Sequence, residues 1–173
     1  MPELNADSLP RSWLTVTAAA AALAVSCGGP PARSVNPTRA LDERRAVEII
    51  VRAFHAEHDR PVHGRNVTLE DGKTFEVDVG SEGHKYAVAY VTPNERQLLG
   101  QSIPGPQTHG DSLTLVHGTG DETTARILLL HDVSYLYDDQ VGSEHEQTTI
   151  SAENKLSRDV TDFLVRAHSE KWP

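Results

Sequence analysis

A second cysteine is the first thing this sequence lacks: Cys27 stands alone among 173 residues. One thiol cannot build an internal disulfide, a redox pair or a cysteine-rich zinc site, so the core must hold the fold unaided. Basic residues are also scarce, with 16 Lys+Arg against 25 Asp+Glu and a formal charge of -9. They are scattered among the acids, which excludes the concentrated basic surface that nucleic acid requires. Anionic lipid headgroups would be repelled for the same reason, so any membrane attachment has to come from outside the folded domain. Long apolar runs are missing too. The run from Trp13 to Val25 has 13 residues, short of the roughly 20 that a membrane-spanning helix needs. No internal repeat is visible.

That run has the proportions of a signal-peptide h-region, with Arg11 before it and Ser26, Cys27, Gly28, Gly29 and two prolines after it. The segment Leu23-Ala24-Val25-Ser26-Cys27 resembles the lipobox of bacterial lipoproteins, with Ala24 where that family prefers Leu. The resemblance implies that Cys27 receives diacylglycerol and that signal peptidase II cuts before it. Gly28, where an Asp would retain the protein in the inner membrane, implies export to the outer membrane of a two-membrane bacterium. The expected organisation is a signal peptide over 1–26, a lipid-anchored flexible tether over 27–36 and a single globular domain over 37–173.

Within that domain, Leu41, Val47, Ile50, Val51 and Phe54 fall at helical spacing and predict a helix over 38–58. Val67 to Glu70 and Lys73 to Val79 flank Asp71-Gly72, the signature of a hairpin with a type I′ turn. A third strand is expected over 85–91. Thr92-Pro93-Asn94-Glu95 then reads as a capping box opening a short helix that Gly100 stops. A loop rich in proline and glycine over 101–110 precedes two more strands, 112–117 and 125–131, the second apolar enough for the middle of a sheet. An acidic stretch over 132–149, with an edge strand around Tyr135 and Tyr137, leads to a helix over 151–169. The fold class is α+β: a mostly antiparallel sheet of about five strands with two long helices packed on one face.

The clearest metal candidate is His55, His58 and His63, with Glu57 and Asp59 between them. His55 and His58 are neighbours on a helix, and a turn after Pro61 would return His63, giving three imidazoles for zinc or copper. The spacing matches neither His-Glu-x-x-His nor His-x-x-Glu-His. Helix, three strands, helix, strand is also the core order of the restriction-endonuclease-like nucleases, whose metal site uses an Asp on the second strand and a Glu-x-Lys on the third. Asp78 and Glu76 fall on the second strand, but Lys85 to Val91 contains no acid, so the carboxylate clamp on a cation is lost. His117-Gly118-Thr119-Gly120 has no Gly-x-Ser-x-Gly nucleophile to serve, and reads as a turn. His131-Asp132 at a strand end could orient a base.

The loop after it concentrates Asp132, Tyr135, Tyr137, Asp138, Asp139, Glu144 and Glu146, without the ligand spacing of a helix-loop-helix calcium site. Its length makes Tyr135, Tyr137, Asp138 and Asp139 the first place to look for a partner's contact surface. The expectation from sequence is a lipid-anchored envelope protein, a non-enzymatic binding or structural module whose partner is another envelope protein. The rivals are a metal carrier or metalloenzyme at the three histidines, and a catalytically dead nuclease-like scaffold.

Overall fold

The structure, a computed structural model, describes residues 38–107, 113–139 and 147–173. The signal and tether segments, Cys27 among them, lie outside the described residues, as does 140–146 of the acidic stretch. The domain is α+β, with three α-helices and a mostly antiparallel five-stranded sheet among the described residues.

The chain enters through β1 (Arg39–Ala40) and α1 (Glu43–Ala56). The helix starts later than its apolar spacing predicts, because Asp42 caps it by accepting from the amides of Arg44 and Arg45. Residues 39 and 40 instead pair with β7 (Leu136–Tyr137) in a separate two-stranded ribbon. At the other end His58 turns into the left-handed region at φ 67°. The amide of Asp59 then donates to the carbonyl of Phe54, which closes the helix.

Next come β2 (Pro61–Thr68), β3 (Thr74–Ser81) and β4 (Tyr86–Val91), paired antiparallel in sequence. The last bridged pair of the hairpin is Thr68 with Thr74, and beyond it the Leu69 amide donates to the Lys73 carbonyl and the Gly72 amide to the Leu69 carbonyl, so the turn takes the three residues 70–72 and not the two of a type I′ turn. Leu69 is buried in the core, Gly72 takes up the left-handed region at φ 83°, and Asp71 accepts from the Lys73 amide and the Ser102 hydroxyl. α2 (Pro93–Leu99) carries both halves of the capping box between Thr92 and Glu95, and Gly100 ends it at φ 58°. The sheet is completed by β5 (Leu115–Val116) and β6 (Arg126–His131) in the order β2-β3-β4-β6-β5, with β4 and β6 parallel. α3 (Thr149–Glu170) ends the chain.

Because successive side chains point to opposite faces of a strand, β4 divides between two cores. Tyr86, Val88 and Tyr90 join Leu128 and Leu130 of β6, Ile50 and Phe54 of α1, and Leu156, Phe163 and Leu164 of α3. Ala87, Ala89 and Val91 join Ile127 and Leu129, together with Phe75 and Val77 of β3 and Leu99 of α2. Both faces of β4 and β6 are buried, which is why each reads as an unbroken apolar run. In β3 the alternation slips: Val77 belongs to one core and Val79, two residues on, to the other. The slip falls at Asp78, across from Gly64 at φ 57°.

The segment after β5 crosses to β2, where the Thr119 amide donates to the Thr68 carbonyl at 2.8 Å. Gly118 is the close approach that permits this: a Cβ there would lie 2.5 Å from Glu122 Cβ and 2.7 Å from Val67 Cγ1. Gly118→Ala is expected to destabilise the domain by about 2 kcal/mol through overpacking, read from urea unfolding. An unchanged midpoint would mean that the crossing relaxes freely.

Candidate functional site

β4 and β6 run parallel, and their carboxyl ends lead in different directions. β4 runs into α2, which contributes to the core of Ala89 and Val91, while β6 passes through a 3-10 turn (Asp132–Ser134) and β7 towards α3 of the other core. Adjacent parallel strands whose connections leave towards opposite faces open a crevice at their carboxyl ends, where ligands of α/β sheets bind.

Charged groups collect there. Arg96 of α2 holds Asp132 at 2.6 Å, and the Asp132 side chain is only 8 % exposed. On the neighbouring strand the Asp78 carboxylate accepts from the Tyr90 amide at 2.6 Å, standing in for a backbone carbonyl where β3 slips. Burial, reinforced by Glu95, Glu43 and Glu76, pushes the Asp78 carboxyl up to about 6, against the opposing effect of the Tyr90 bond. The Tyr90 hydroxyl donates to the carbonyl of Leu41 at 2.8 Å, tying the entry of α1 to the same end of the sheet.

His131, the last residue of β6, is 3 % exposed. Its Nε2 lies 3.0 Å from the Pro104 carbonyl oxygen. A carbonyl only accepts, so Nε2 carries the proton and the neutral ring presents Nδ1 as an acceptor. Burial holds the ring's pKa below its ordinary value, with Arg96 adding to the effect. Nδ1 has no hydrogen-bond partner among the described residues.

His131 lines a cleft of about 100 Å³ with Thr114, Ser134, Lys155 and Asp159, floored by the leucines of β6. Lys155 Nζ stands 3.2 Å from Asp159 Oδ2 and 4.5 Å above the Tyr135 ring. The Tyr135 hydroxyl donates to the same carboxylate at 2.8 Å. Among the described residues of the lining, Lys155 and Asp159 are the one cation and the one anion, and they answer each other.

A second polar cluster ties the far end of the sheet. Asp59 is buried and accepts from Ser81 and Tyr86 on one oxygen, while His168 of α3 holds the other at 3.1 Å. It joins the end of α1, the hairpin between β3 and β4 and the last turn of α3.

His55, His58 and His63 are all exposed. Among the described residues no group of three or more His, Cys, Asp or Glu side chains is placed to hold a metal ion, and this covers the three histidines. Of the aromatic residues proposed as a contact surface, Tyr135 is 3 % exposed and its hydroxyl is engaged by Asp159. Tyr137 lies in β7 with Arg39 over its ring. Asp139 caps the start of α3 by accepting from the Thr149 amide at 2.8 Å, and Asp138 is half-buried beside it. The surface of this segment is thus partly occupied by contacts within the domain. Glu76 of β3 is exposed and Asp78 half-buried, while every residue of β4 is buried.

Two features were not legible from the residues: the orphaned nitrogen of His131 and the Asp59 cluster. His131-Asp132 is recognisable as a pair at a strand end, but Pro104 and Arg96 reach it only through the fold. Searches for related proteins return no matching family model, no matching curated protein and no matching solved structure, so what the chain does must be inferred from its own residues.

Proposed function

We propose that this chain is a lipid-anchored protein of the bacterial cell envelope whose folded domain acts by binding or structural support. The observation that carries the anchor is the coincidence of the chain's only cysteine with the end of its one signal-like apolar run. The acidic domain supplies no cationic surface for lipid headgroups, so the acyl chains at Cys27 do the holding. None of the described helices is long and apolar enough to cross a membrane.

We infer further that both long helices cover one face of the sheet, as their shared core with β4 and β6 supports. That arrangement leaves the carboxyl ends of the parallel pair as the binding region, with His131, Asp132 and Arg96 at its centre.

A second reading is a catalytically inactive scaffold of the restriction-endonuclease-like kind. The pairing of β4 beside β3 and its parallel pairing with β6 favour it, and the apolar sequence of β4 accounts for the missing carboxylate.

Metabolic labelling with an alkyne fatty acid tests the anchor. The wild type is expected to take up label and sediment with outer membranes, and Cys27→Ala to lose both. Label retained by the alanine variant would overturn the reading.

A further inference from the structure

One side of α1 carries a row of residues that complements itself, and we propose that two copies of this chain pair through it as a two-fold symmetric dimer. The pairing goes beyond the binding-or-support reading of the domain and does not depend on the anchor.

Glu43, Val47, Val51 and His55 recur at every fourth position of α1, so they lie one above another on one face of the helix. The buried stripe of Ala46, Ile49, Ile50, Ala53 and Phe54 faces the core and leaves this row at its margin. Val47 and Val51 are only half-buried against that core. With His63 of β2 they line an open groove of about 770 Å³ at the edge of the sheet.

Charge selects the occupant. The chain as a whole carries a formal charge of -9, so two copies repel over most of their surface. The described lining of this groove is different: Asp42, Glu43 and Glu48 are balanced by Arg44, Arg45 and Arg52. A strongly acidic or basic partner meets as many like charges there as opposite ones. An identical surface, turned end for end, meets it without net repulsion.

The row also fixes the register. Around a two-fold axis at Ile49, Val47 of one copy faces Val51 of the other, and Glu43 faces His55, because each pair lies equally far from the centre. Such i±4 rows align when two helices cross at roughly -50°, the commonest packing of globular proteins. The side chains of Glu43 and His55 make no hydrogen bond or ion pair among the described residues. An imidazole N–H can donate to a carboxylate whether the ring is neutral or charged. Strand addition along β2 is not assigned: Gly64, at φ 57°, has no partner in β3, and an irregular edge discourages pairing with another chain.

The test is cysteine cross-linking of the full lipidated chain in detergent, oxidised with copper phenanthroline and scored as covalent dimer. Chains carrying Val47→Cys and Val51→Cys are oxidised separately and as an equal mixture, with the unsubstituted chain alongside to report whatever Cys27 does. In the proposed register the two different positions face each other, while each cysteine lies about 6 Å along the helix from its own equivalent. The mixture is therefore expected to give more dimer than either chain alone. Adding His55→Glu to both chains sets Glu43 against a second carboxylate twice per dimer, which should lower the yield about fivefold.

A charge exchange then names the partner. Glu43→Lys with His55→Lys on the Val47→Cys chain, mixed with His55→Glu on the Val51→Cys chain, restores both opposite-charge contacts and should recover the yield. Each of these chains alone is expected to give little dimer. A mixture that cross-links no better than the single chains would overturn the proposal, as would absence of dimer throughout. So would a yield unmoved by His55→Glu in both chains, or unrecovered by the exchange. If the charge variants misfold, the two valine positions decide the matter by themselves. Failure of the anchor would appear in the fatty-acid label and not in the register of these cross-links, so the two readings fall separately.

Discussion

Replacing Asp59 by Ala is expected to cost the domain about 3 kcal/mol, because it orphans several buried or half-buried donors at once. Ser81 and Tyr86 donate to one carboxylate oxygen at 3.1 and 2.9 Å, and His168 meets the other. Tyr86 is 1 % exposed, so its hydroxyl has no water to turn to. Burial pushes the same phenol up to about 12, an effect that Asp59 reinforces and Ser81 opposes. Urea unfolding measures the loss, and a double-mutant cycle with Tyr86→Phe isolates the pair. Once the phenol is gone, removing Asp59 should cost about 1 kcal/mol less than it does in the wild type. A loss under about 1 kcal/mol for Asp59→Ala alone would mean that the cluster is hydrated and contributes little.

The second large effect is a gain. Asp78→Asn should stabilise the domain at pH 7.5 by about 2 kcal/mol. The carboxyl titrates near 6 in the folded protein, above its ordinary value of 3.8, chiefly because it is buried. Between these two values the folded state binds more protons than the unfolded one, so this group's contribution falls as pH rises and the destabilisation is complete above about pH 6. Asparagine carries no charge, and its side-chain carbonyl can still accept from the Tyr90 amide. The difference in stability between variant and wild type should therefore be largest above pH 7 and shrink towards zero near pH 4. Taking the difference cancels the carboxylates whose ion pairs or hydrogen bonds hold them below their ordinary values, such as Glu153 beside Arg45 and Asp139 beside Thr149. Equal stabilities at pH 7.5 and pH 5 would show that Asp78 is solvated enough to ionise without cost.

Both effects arise where the fold departs from what local pattern can specify. Asp78 occupies a slip in β3, and nothing in Thr-Phe-Glu-Val-Asp-Val-Gly-Ser announces that Val77 and Val79 will face different cores. The alternation is regular as written. It is Gly64 on the neighbouring strand, at φ 57°, that faces the irregularity, and only pairing brings the two together. Asp59 is as opaque in sequence. Its partners lie 22, 27 and 109 residues away, and no periodicity links them.

The hairpin gives a smaller example. Asp-Gly favours a two-residue turn, but here the buried Leu69 bonds to Lys73 and Asp71 reaches Ser102, and the turn takes three residues with Gly72 in the left-handed region. The helix over 38–58 is shortened at its start by a similar conflict. Asp42 caps the helix, and Arg39 and Ala40 have strand partners in Leu136 and Tyr137. Tyr135 and Tyr137 do begin an edge, but its partner is the start of the domain and not the main sheet.

What the amino-acid sequence by itself determined is whatever rests on near neighbours: the existence and type of the main elements, the capping box at Thr92 and Glu95, the central place of the apolar strand Arg126–His131 and the α+β class. Each is set by periodicity or by contacts within four residues, which composition and spacing encode directly. The tertiary structure alone decided that β4 and β6 lie parallel at the point where their connections diverge, that Asp132 meets Arg96, and that His131 ends buried with one nitrogen engaged and the other without a partner among the described residues. Those outcomes depend on closing loops of tens of residues around a shared core, and the burial that gives each group its chemistry comes into being only when the core does.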